Sequence, residues 1–256
     1  MDKITSAKNP RGQRLRDLKS ARVRREEKRI LVEGEVMIRE ALSCGLRLED
    51  AAADEGCAAF ARELEARGLP VMQVNRSLLE SICETRTPQG VCAAFEAPRP
   101  LAVTELPERI VALDGVQDPG NVGTIWRTAD AAGFQALLLG AGSADALSPK
   151  VLRAAMGSGF RIPFSQAAPL TDALRALSDR GYTIIASDLS GEDFYSRSDP
   201  GSKMVLVIGN EARGISDAVR QCADMRVKLP MRGGAESLNA AIAAAILMYD
   251  LMNARR

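Results

Sequence analysis

The sequence predicts an α/β protein built from two units, and three observations support that fold class. Short apolar runs of strand type alternate with helical patterns along most of the 256-residue chain. Runs such as VLVI and ALLL are continuously apolar, as expected for parallel strands that are covered on both faces. Three prolines fall between Pro98 and Pro107, which is the composition of a linker. We therefore predict an N-terminal domain over 1–97, a linker over 98–107 and a C-terminal domain over 108–256.

Composition argues against several classes of function. The chain has no histidine, so the commonest general base and the commonest metal ligand are both missing. Its five cysteines show no C-x-x-C spacing, which argues against a zinc site and favours reduced thiols. The longest apolar run, 240–249, is about half a membrane span, and the basic N-terminus lacks the apolar core of a signal peptide. We expect a cytoplasmic protein without a bound metal and without a membrane segment.

Positive charge is concentrated at the N-terminus, although the formal net charge of the whole chain is only +1. From Met1 to Arg29 the sequence has eleven Lys and Arg residues against four Asp and Glu residues. After the turn signal Asn9–Pro10 we predict one short basic helix, roughly from Arg11 to Arg25. The charges alone leave two interpretations open, a solvated helix or a contact for nucleic acid.

Strands and helices continue to alternate through the rest of the N-terminal domain. Gly45 and Gly68 stand just past the ends of two predicted helices, and Ser77 is a possible cap for a third. In chain order the pattern predicts strand RILVEG, helix EVMIREALSCG, strand LEDAAAD, helix CAAFARELEARG, strand LPVMQV, helix SLLESICET and strand GVCAAFE.

The C-terminal domain repeats this alternation. The predicted strands are RIVALD, QALLLG, YTIIASD, MVLVIG and MRVKLP. The predicted helices follow Asn121 and Pro149 and then cover 170–180, 216–222 and 237–253. Parallel strands present their carboxyl ends at one edge of the sheet, and open α/β sheets bind ligands there.

One strand-to-helix turn, LDGVQDPGNVGTIWRTADAAGF over 113–134, brings polar residues to such an edge. Asn121 fits a helix N-cap, and Gly133 fits the position after the helix end. Helical side chains lean toward the N-terminus, so Arg127 can reach back beside Asn121 and help to attract an anion. Taken singly, these residues are equally well explained as a cap and a surface arginine. The glycines do not match the dinucleotide fingerprint G-x-G-x-x-G.

Two further stretches place polar residues after strands. VLVIGNEARGIS, over 205–216, puts Glu211 just past a buried-type strand. KLPMRGGAESLNAAIAAAILMYDLM, over 228–252, has a Gly233-Gly234 turn that allows close approach of a backbone. Ser237 and Asn239 then open a helix that is apolar on nearly all sides. Such a helix must be covered by the rest of the domain or by a second subunit.

The three stretches together resemble one family, the SpoU/TrmH-type RNA ribose methyltransferases of the SPOUT class. Asn121-x-Gly123-x-x-x-Arg127-Thr128 is similar to the first motif of that family, and Gly209-Asn210-Glu211-x-x-Gly214 is similar to the second. Leu229-Pro230-Met231 with Ser237-Leu238-Asn239 is similar to the third, and Ala240 departs from it where members often carry valine. The stretch 148–164 also resembles the pattern between the first two motifs. In the N-terminal half, ITSAKNP, LVEGEVMIREAL and TRTPQGVCAAF resemble the substrate-binding domain that many members carry.

The resemblance implies a fold that no spacing argument would reach. The C-terminal domain would be a Rossmann-like parallel sheet whose last segment threads into a deep trefoil knot, with a smaller N-terminal α/β domain that binds RNA. The knot loops would bind S-adenosylmethionine in a bent form. Family members are homodimers, so the resemblance also implies a homodimer, with the apolar helix after Ser237 as a candidate for part of the interface. The backbone positions expected to line the cofactor pocket are Leu139, Gly140, Gly209, Leu229, Met231 and Leu238.

The implied reaction is methyl transfer to a 2′-hydroxyl of RNA. The family assigns activation of that hydroxyl to Arg127, with Asn121, Glu211, Ser237 and Asn239 around it. Because the pKa of a guanidinium exceeds about 12, we favour a second role, in which Arg127 holds the adjacent phosphate and stabilises developing alkoxide charge. For RNA capture the basic N-terminal residues Arg11, Arg14, Lys19, Arg22 and Arg25 are the predicted contacts.

Several alternatives stay open at this stage. Both ribosomal and transfer RNA are substrates of the family, and the extra N-terminal domain favours ribosomal RNA. A member that binds RNA without catalysis, or one that methylates a base, would carry a similar sequence. A Rossmann-type nucleotide enzyme would need a glycine fingerprint after an early strand, and the sequence has none.

Overall fold

The computed structural model of the chain describes residues 2–253 and divides into two compact units. The first unit is Met1–Pro98 with Leu147–Phe160, and the second is Arg99–Ala146 with Arg161–Arg256. This division differs from the predicted domains at one internal segment, 147–160. No helix within 2–253 is long and apolar enough to cross a membrane.

The first unit is a five-stranded sheet with helices on both faces. Its strands are β1 (Asp2–Ile4), β2 (Arg29–Glu33), β3 (Leu48–Ala53), β4 (Val71–Val74) and β5 (Val91–Glu96). Its first helices are α1 (Pro10–Asp17), α2 (Ala21–Glu27), α3 (Glu35–Ser43), α4 (Ala58–Ala66) and α5 (Arg76–Ile82). The strand order is β1-β4-β3-β5-β2, in which β5 runs antiparallel to both of its neighbours.

Alternation along the strands of the first unit creates two cores. Ile30 and Val32 of β2 face the core that also contains Phe60 of α4, whereas Leu31 faces the opposite core together with Leu15 of α1. This two-sided burial follows from the period of two along a strand.

The basic N-terminal segment differs from its prediction. It forms two helices, α1 and α2, because the chain turns at Leu18–Ser20 and buries the Leu18 side chain in the core. Strand β1 was not predicted, since its three residues carry little apolar signal, and it adds to the edge of the sheet beside β4. Helix α5 is capped by Asn75, not by Ser77, because the Asn75 side chain accepts from the Leu78 amide at 2.8 Å.

The second unit is a six-stranded sheet with parallel pairing throughout. Its strands are β6 (Arg109–Asp114), β7 (Ala136–Gly140), β8 (Phe164–Ala167), β9 (Thr183–Asp193), β10 (Met204–Gly209) and β11 (Met225–Lys228). The helices from here to the end of the described chain are α6 (Pro119–Ala132), α7 (Pro149–Ala155), α8 (Ser158–Arg161), α9 (Leu170–Ser178), α10 (Asp217–Arg220) and α11 (Ala240–Asn253). The strand order is β11-β9-β10-β6-β7-β8, so the prediction of a parallel α/β sheet is confirmed.

Two helix boundaries in the second unit differ from the predicted ones. Asp118 caps α6, since its carboxylate accepts from the Asn121 amide at 2.9 Å, and Asn121 lies inside the first turn. Asn239 caps α11, since its side chain accepts from the Ala241 amide at 2.9 Å. Helix α11 therefore begins at Ala240 and not at Ser237. Both asparagines are consequently held in fixed positions at helix starts.

The segment 147–160 packs in the first unit because its apolar residues belong to that core. Leu152 of α7 is 2% exposed within the core of α3 and α4, and Leu147 and Phe160 pack against the same cluster. The Arg153 guanidinium donates to the Thr85 hydroxyl at 3.0 Å. The chain therefore leaves the second unit after Ala146 and returns to it at Arg161.

Candidate active site

The three motif segments meet at one end of the second sheet. The neighbouring strands β6 and β10 lead at their carboxyl ends toward α6 and into the loop after Gly209. There the side-chain amide nitrogen of Asn121 donates to a carboxylate oxygen of Glu211 at 2.9 Å. The Asn239 amide nitrogen donates to the Asn121 amide oxygen at 3.0 Å. One chain of hydrogen bonds thus joins the start of α6, the loop after β10 and the start of α11.

Glu211 is held in its ionised form by this arrangement. Its oxygens also accept from the backbone amides of Gln117 at 3.3 Å and Asp118 at 3.4 Å. Partial burial opposes ionisation and raises the pKa of Glu211, but the hydrogen bonds from Asn121 and from the backbone amides outweigh it. The pKa of Glu211 therefore lies below its ordinary value of 4.5, and a negative charge stands at the junction at neutral pH.

The loop that carries Glu211 is closed on itself. The backbones of Asn210 and Gly214 exchange two hydrogen bonds of 2.9 Å. The Asn210 side chain accepts from the amides of Ala212 and Arg213 at 3.0 and 3.2 Å, and it donates to the Gly115 carbonyl at 2.8 Å. Because both ends of the loop are fastened, Glu211 has little freedom to leave Asn121.

The glycines of the motifs differ in what they do. A Cβ at Gly209 would collide with the backbone of Gly214, so glycine is required there by the loop itself. Gly233 and Gly234 have no described atom within 4 Å of a Cβ built on them. The described protein atoms therefore do not by themselves require glycine at these two positions, and the expectation that their backbone approaches a ligand closely stays a prediction.

A cavity of about 370 Å³ opens beside this junction. Four of the six predicted cofactor-binding residues line it, namely Gly209, Leu229, Met231 and Leu238, and so do Glu211 and Ser237. Leu139 and Gly140 do not line it, because β7 is separated from β10 by β6 in the sheet. Instead, a Cβ at Gly140 would meet the Leu113 carbonyl of β6 at 2.9 Å.

The far wall of the cavity contains an acidic residue that the sequence did not single out. Asp188 is 8% exposed and accepts from the Ser190 amide at 3.0 Å and from the Arg220 guanidinium at 2.8 Å. Burial raises the pKa of Asp188, but these hydrogen bonds lower the pKa by more than burial raises it. The pKa of Asp188 therefore lies below its ordinary value of 3.8. Asp188 sits where β9 leaves its pairing with β11, since Arg226 pairs with Ala186 and Val227 pairs with Glu192. That excursion had no recognisable motif.

Arg127 and Ser237 stand apart from the hydrogen-bonded junction. Arg127 is exposed on α6, and among residues 2–253 no hydrogen bond or ion pair engages its guanidinium. Ser237 is exposed at the rim of the cavity and likewise has no side-chain hydrogen bond to a described residue. The structure thus brings Asn121, Glu211 and Asn239 together and leaves Arg127 and Ser237 free to meet a ligand.

Two of the five predicted RNA-binding cations are engaged within the first unit. Arg11 forms a forked ion pair with Asp50, with nitrogen–oxygen distances of 2.9 and 2.5 Å. Lys19 donates from Nζ to the Ser81 carbonyl at 2.7 Å. Both side chains therefore connect the basic segment to the rest of its unit, which the charge count could not reveal.

The other three predicted RNA contacts are exposed. Among the described residues, Arg22 pairs with Glu26, one turn away on α2, and Arg25 donates to the Ala21 carbonyl at 3.2 Å. Arg14 forms no side-chain hydrogen bond or ion pair with any residue in the described range. Contact of all five residues with RNA stays a prediction, and Arg14, Arg22 and Arg25 are the three whose side chains are exposed.

Family models match both parts of the chain. Residues 108–249 match the SpoU rRNA Methylase family. Residues 9–93 match the MRM3-like substrate binding domain. The first match contains all three motif segments, and the second contains the basic helices α1 and α2.

Individual proteins resemble the chain over most of its length. It is 36% identical over 252 residues to 23S rRNA (guanosine(2553)-2'-O)-methyltransferase RlmP of Bacillus subtilis, covering 98% of this chain and 99% of that protein. It is 28% identical over 211 residues to 23S rRNA (guanosine-2'-O-)-methyltransferase RlmB of Shewanella oneidensis, covering 79% and 86%. The crystal structure of an AdoMet-bound rRNA methyltransferase from Sinorhizobium meliloti matches with a TM-score of 0.87 and 32% identity, over 99% of this chain and 98% of that one.

Proposed function

This chain belongs to the SpoU rRNA methylase family, and we propose that it methylates a ribose 2′-hydroxyl of ribosomal RNA with S-adenosylmethionine as the donor. The observation that carries this proposal is the junction of Asn121, Glu211 and Asn239 at the rim of a cavity. Two relatives are named as enzymes that act on 23S rRNA at a guanosine 2′-oxygen. Transfer RNA is the second candidate substrate.

The cavity fits the proposed cofactor in size and chemistry. A volume of about 370 Å³ falls within the range of small-molecule sites, roughly 300–1,000 Å³. Leu229, Met231 and Leu238 provide apolar surface for a flat base. When bound, S-adenosylmethionine supplies an activated methyl group on a positively charged sulfur. Asp188 and Glu211, both ionised at neutral pH, complement a cationic ligand.

Arg127 is the proposed catalytic residue. Its free guanidinium can bind the phosphate beside the target ribose and stabilise negative charge on the 2′-oxygen as it attacks. A role as general base is the alternative that the family assigns, although a guanidinium resists deprotonation. The junction positions the reaction, because Asn239 orients Asn121 and Asn121 orients Glu211. Ser237, free at the rim, is placed to donate to substrate or cofactor.

We also propose that α11 contributes to a homodimer. One face of α11 is buried against α6 and β10, whereas Ile242, Ile246 and Tyr249 are 54%, 36% and 47% exposed on the other face. These three follow the i, i+4, i+7 spacing of one helix face. Ile246→Glu should shift the protein toward monomer in analytical ultracentrifugation. A wild-type protein that is monomeric at micromolar concentration would contradict the dimer.

The trefoil knot is the remaining part of the proposal. Strand β11 lies at the sheet edge, yet the following segment returns to pack α11 against α6 and β10. Its route places Met231, Ser237 and Leu238 on the same cavity as residues 187–189 of β9 and the loop after β10. An experimental electron-density map through 229–240 would establish whether the segment is threaded as a knot.

Methyl transfer from a radiolabelled donor tests the function. We expect label in unmodified ribosomal RNA, and mapping the label should place it on a ribose 2′-oxygen. Label in transfer RNA alone would show that transfer RNA is the substrate, and label on a base would show that the methyl acceptor is not the ribose. RNA binding without methyl transfer would identify the chain as a family member without catalytic activity. Calorimetric titration with NAD tests the alternative of a dinucleotide-binding enzyme, and we expect no binding.

A further inference from the structure

Several arginines of the second unit have a carboxylate partner, as Arg161 does with Asp130 at 2.8 Å and Arg197 does with Asp250 at 2.7 Å. Others are exposed and have no side-chain partner among the described residues, namely Arg127, Arg213, Arg226 and Arg232. Of these four, Arg127 and Arg213 lie on the first two motif segments, and Arg213 also lines the cavity.

The acids around the junction explain why these arginines are unpaired. Glu211 accepts from Asn121 and from backbone amides. Asp118 accepts from the backbone amide of Asn121 at 2.9 Å, and Asp114 accepts from the backbone amide of Ser216 at 2.6 Å. Each of these carboxylates is thus satisfied by uncharged donors, and none of them pairs with a guanidinium of the described residues.

Arg213 is presented on a rigid support. It lies in the closed loop between Asn210 and Gly214, and its backbone amide donates to the Asn210 side chain at 3.2 Å. The same loop carries Glu211, so Arg213 is two residues from the junction and also lines the cavity. A charged side chain on a fixed loop loses little backbone entropy when it binds a ligand.

The other charged residues at this rim favour an anionic ligand. Lys228 and Glu236 line the same cavity, and Arg232 follows the lining residue Met231. Of the other charged residues that line the cavity, Asp188 and Arg220 pair with each other, and Glu211 accepts from amides. The cations Arg213 and Lys228 and the carboxylate Glu236 are left at the rim, where the two cations can bind a phosphate backbone.

We propose that Arg213 binds a phosphate of the RNA strand next to the target ribose, as a second guanidinium besides Arg127. The inference rests on the proposed function and adds a substrate-positioning residue to it. Arg127 acts at the reacting sugar, whereas Arg213 holds the strand in register at the mouth of the cavity. Guanidinium and phosphate match as a fork and two acceptor oxygens.

Substitution of Arg213 tests the proposal by separating RNA binding from cofactor binding. In Arg213→Ala we expect the KM for unmodified ribosomal RNA to rise about tenfold, with kcat changed much less. The slope of log Kd against log salt should flatten by about 0.7–0.9, the effect of one lost phosphate contact. Arg213→Lys should restore most of the slope, because a point charge still binds phosphate. Arg175→Ala, an exposed arginine on α9, is the matched control and should change neither quantity.

The outcomes separate this inference from the function on which it rests. An unchanged KM and salt slope in Arg213→Ala would overturn the inference. So would a weakened affinity for S-adenosylmethionine in titration calorimetry with RNA binding intact, since Arg213 would then bind the cofactor carboxylate. A wild-type chain that binds neither RNA nor S-adenosylmethionine would instead refute the proposed function. If Arg213→Ala fails to fold, Arg213→Lys and Arg213→Gln carry the same comparison.

Discussion

The two units use their charged residues in different ways. In the first unit many arginines pair with acids, as Arg11 does with Asp50 and Arg76 does with Asp54, although exposed ones such as Arg14 do not. At the motif segments of the second unit the acids bind amides, and Arg127 and Arg213 have no side-chain partner within 2–253. The contrast indicates that charge supports the fold in the first case and is reserved for a ligand in the second. Four experiments can break or sharpen it.

The largest effect is expected at Arg127. Arg127→Ala should abolish methyl transfer, because it removes the charge that stabilises the attacking oxygen, while S-adenosylmethionine still binds in calorimetry. Arg127→Lys should also be poor, since an ammonium cannot reproduce the two-pronged contact. Turnover near the wild-type rate in Arg127→Ala would remove this residue from the mechanism. The matched variant in the first unit, Arg76→Ala, should retain activity.

A smaller loss is expected at the junction itself. Glu211→Gln places an amide group opposite the backbone amides of Gln117 and Asp118, where only an acceptor fits. We expect kcat to fall by roughly 10- to 100-fold, with the thermal midpoint little changed. Thr124→Ser, on the exposed side of α6, serves as the control. If Glu211→Gln keeps the wild-type kcat, the hydrogen-bonded chain has no part in positioning the reaction.

The basic segment allows a direct comparison of paired and free arginines. Arg11→Ala should lower the free energy of unfolding by about 1 kcal/mol through loss of the half-buried pair with Asp50. Arg14→Ala should leave stability unchanged and flatten the salt dependence of RNA binding by about 0.7–0.9. Urea unfolding and filter binding at several salt concentrations measure the two quantities. Identical behaviour of the two variants would remove the distinction.

These single substitutions are preferable to removal of the whole segment. Deleting residues 1–29 would take Leu15 and Leu18 out of the core and β1 out of the sheet. A loss of RNA binding in such a truncation would then report unfolding of the unit and not the loss of phosphate contacts.

The smallest effect concerns pH. Because the pKa of Glu211 is lowered in the folded protein, its contribution to stability is present above the unfolded value and is lost as pH falls through the folded pKa. The wild type should exceed Glu211→Gln in free energy of unfolding at neutral pH by less than about 1 kcal/mol, since the carboxylate is mostly exposed. That difference should vanish at pH values well below 4.5. A difference that grows on acidification would have the wrong sign.

Much of the fold followed from local patterns, but the less regular parts did not. Continuous apolar runs identified β6, β7, β9 and β10, because buried parallel strands carry little else. Strand β11, which reads MRVK at the sheet edge, was identified by its alternation of apolar and charged residues. Strand β8 was missed, since Phe164–Ala167 is a four-residue edge strand whose two central residues, Ser165 and Gln166, are polar. Helix starts were misassigned by one to three residues where several capping residues stand close together, as in the stretch Asp118–Asn121.

The site was predictable only in part. Residues 121, 211 and 239 are far apart in the chain, so their junction was implied by the family resemblance and not by spacing. The place of Asp188 in the cavity wall could not be predicted, because Asp188 lies where the pairing of β9 with β11 is irregular and no sequence motif marks that position. The engagement of Arg11 with Asp50 was equally invisible, since composition counts charges but does not show their partners.

The internal segment 147–160 has a consequence for how such proteins diversify. Because α7 gives Leu152 to the other core, the substrate-binding part is discontinuous in sequence and cannot be exchanged as a single N-terminal cassette. In a chimera joined at residue 98, the core around α7 would come from a different protein. Leu147, Leu152 and Phe160 would then lose the residues against which they pack and would be exposed to water. Exchange of the whole first unit would therefore require replacement of both 1–98 and 147–160.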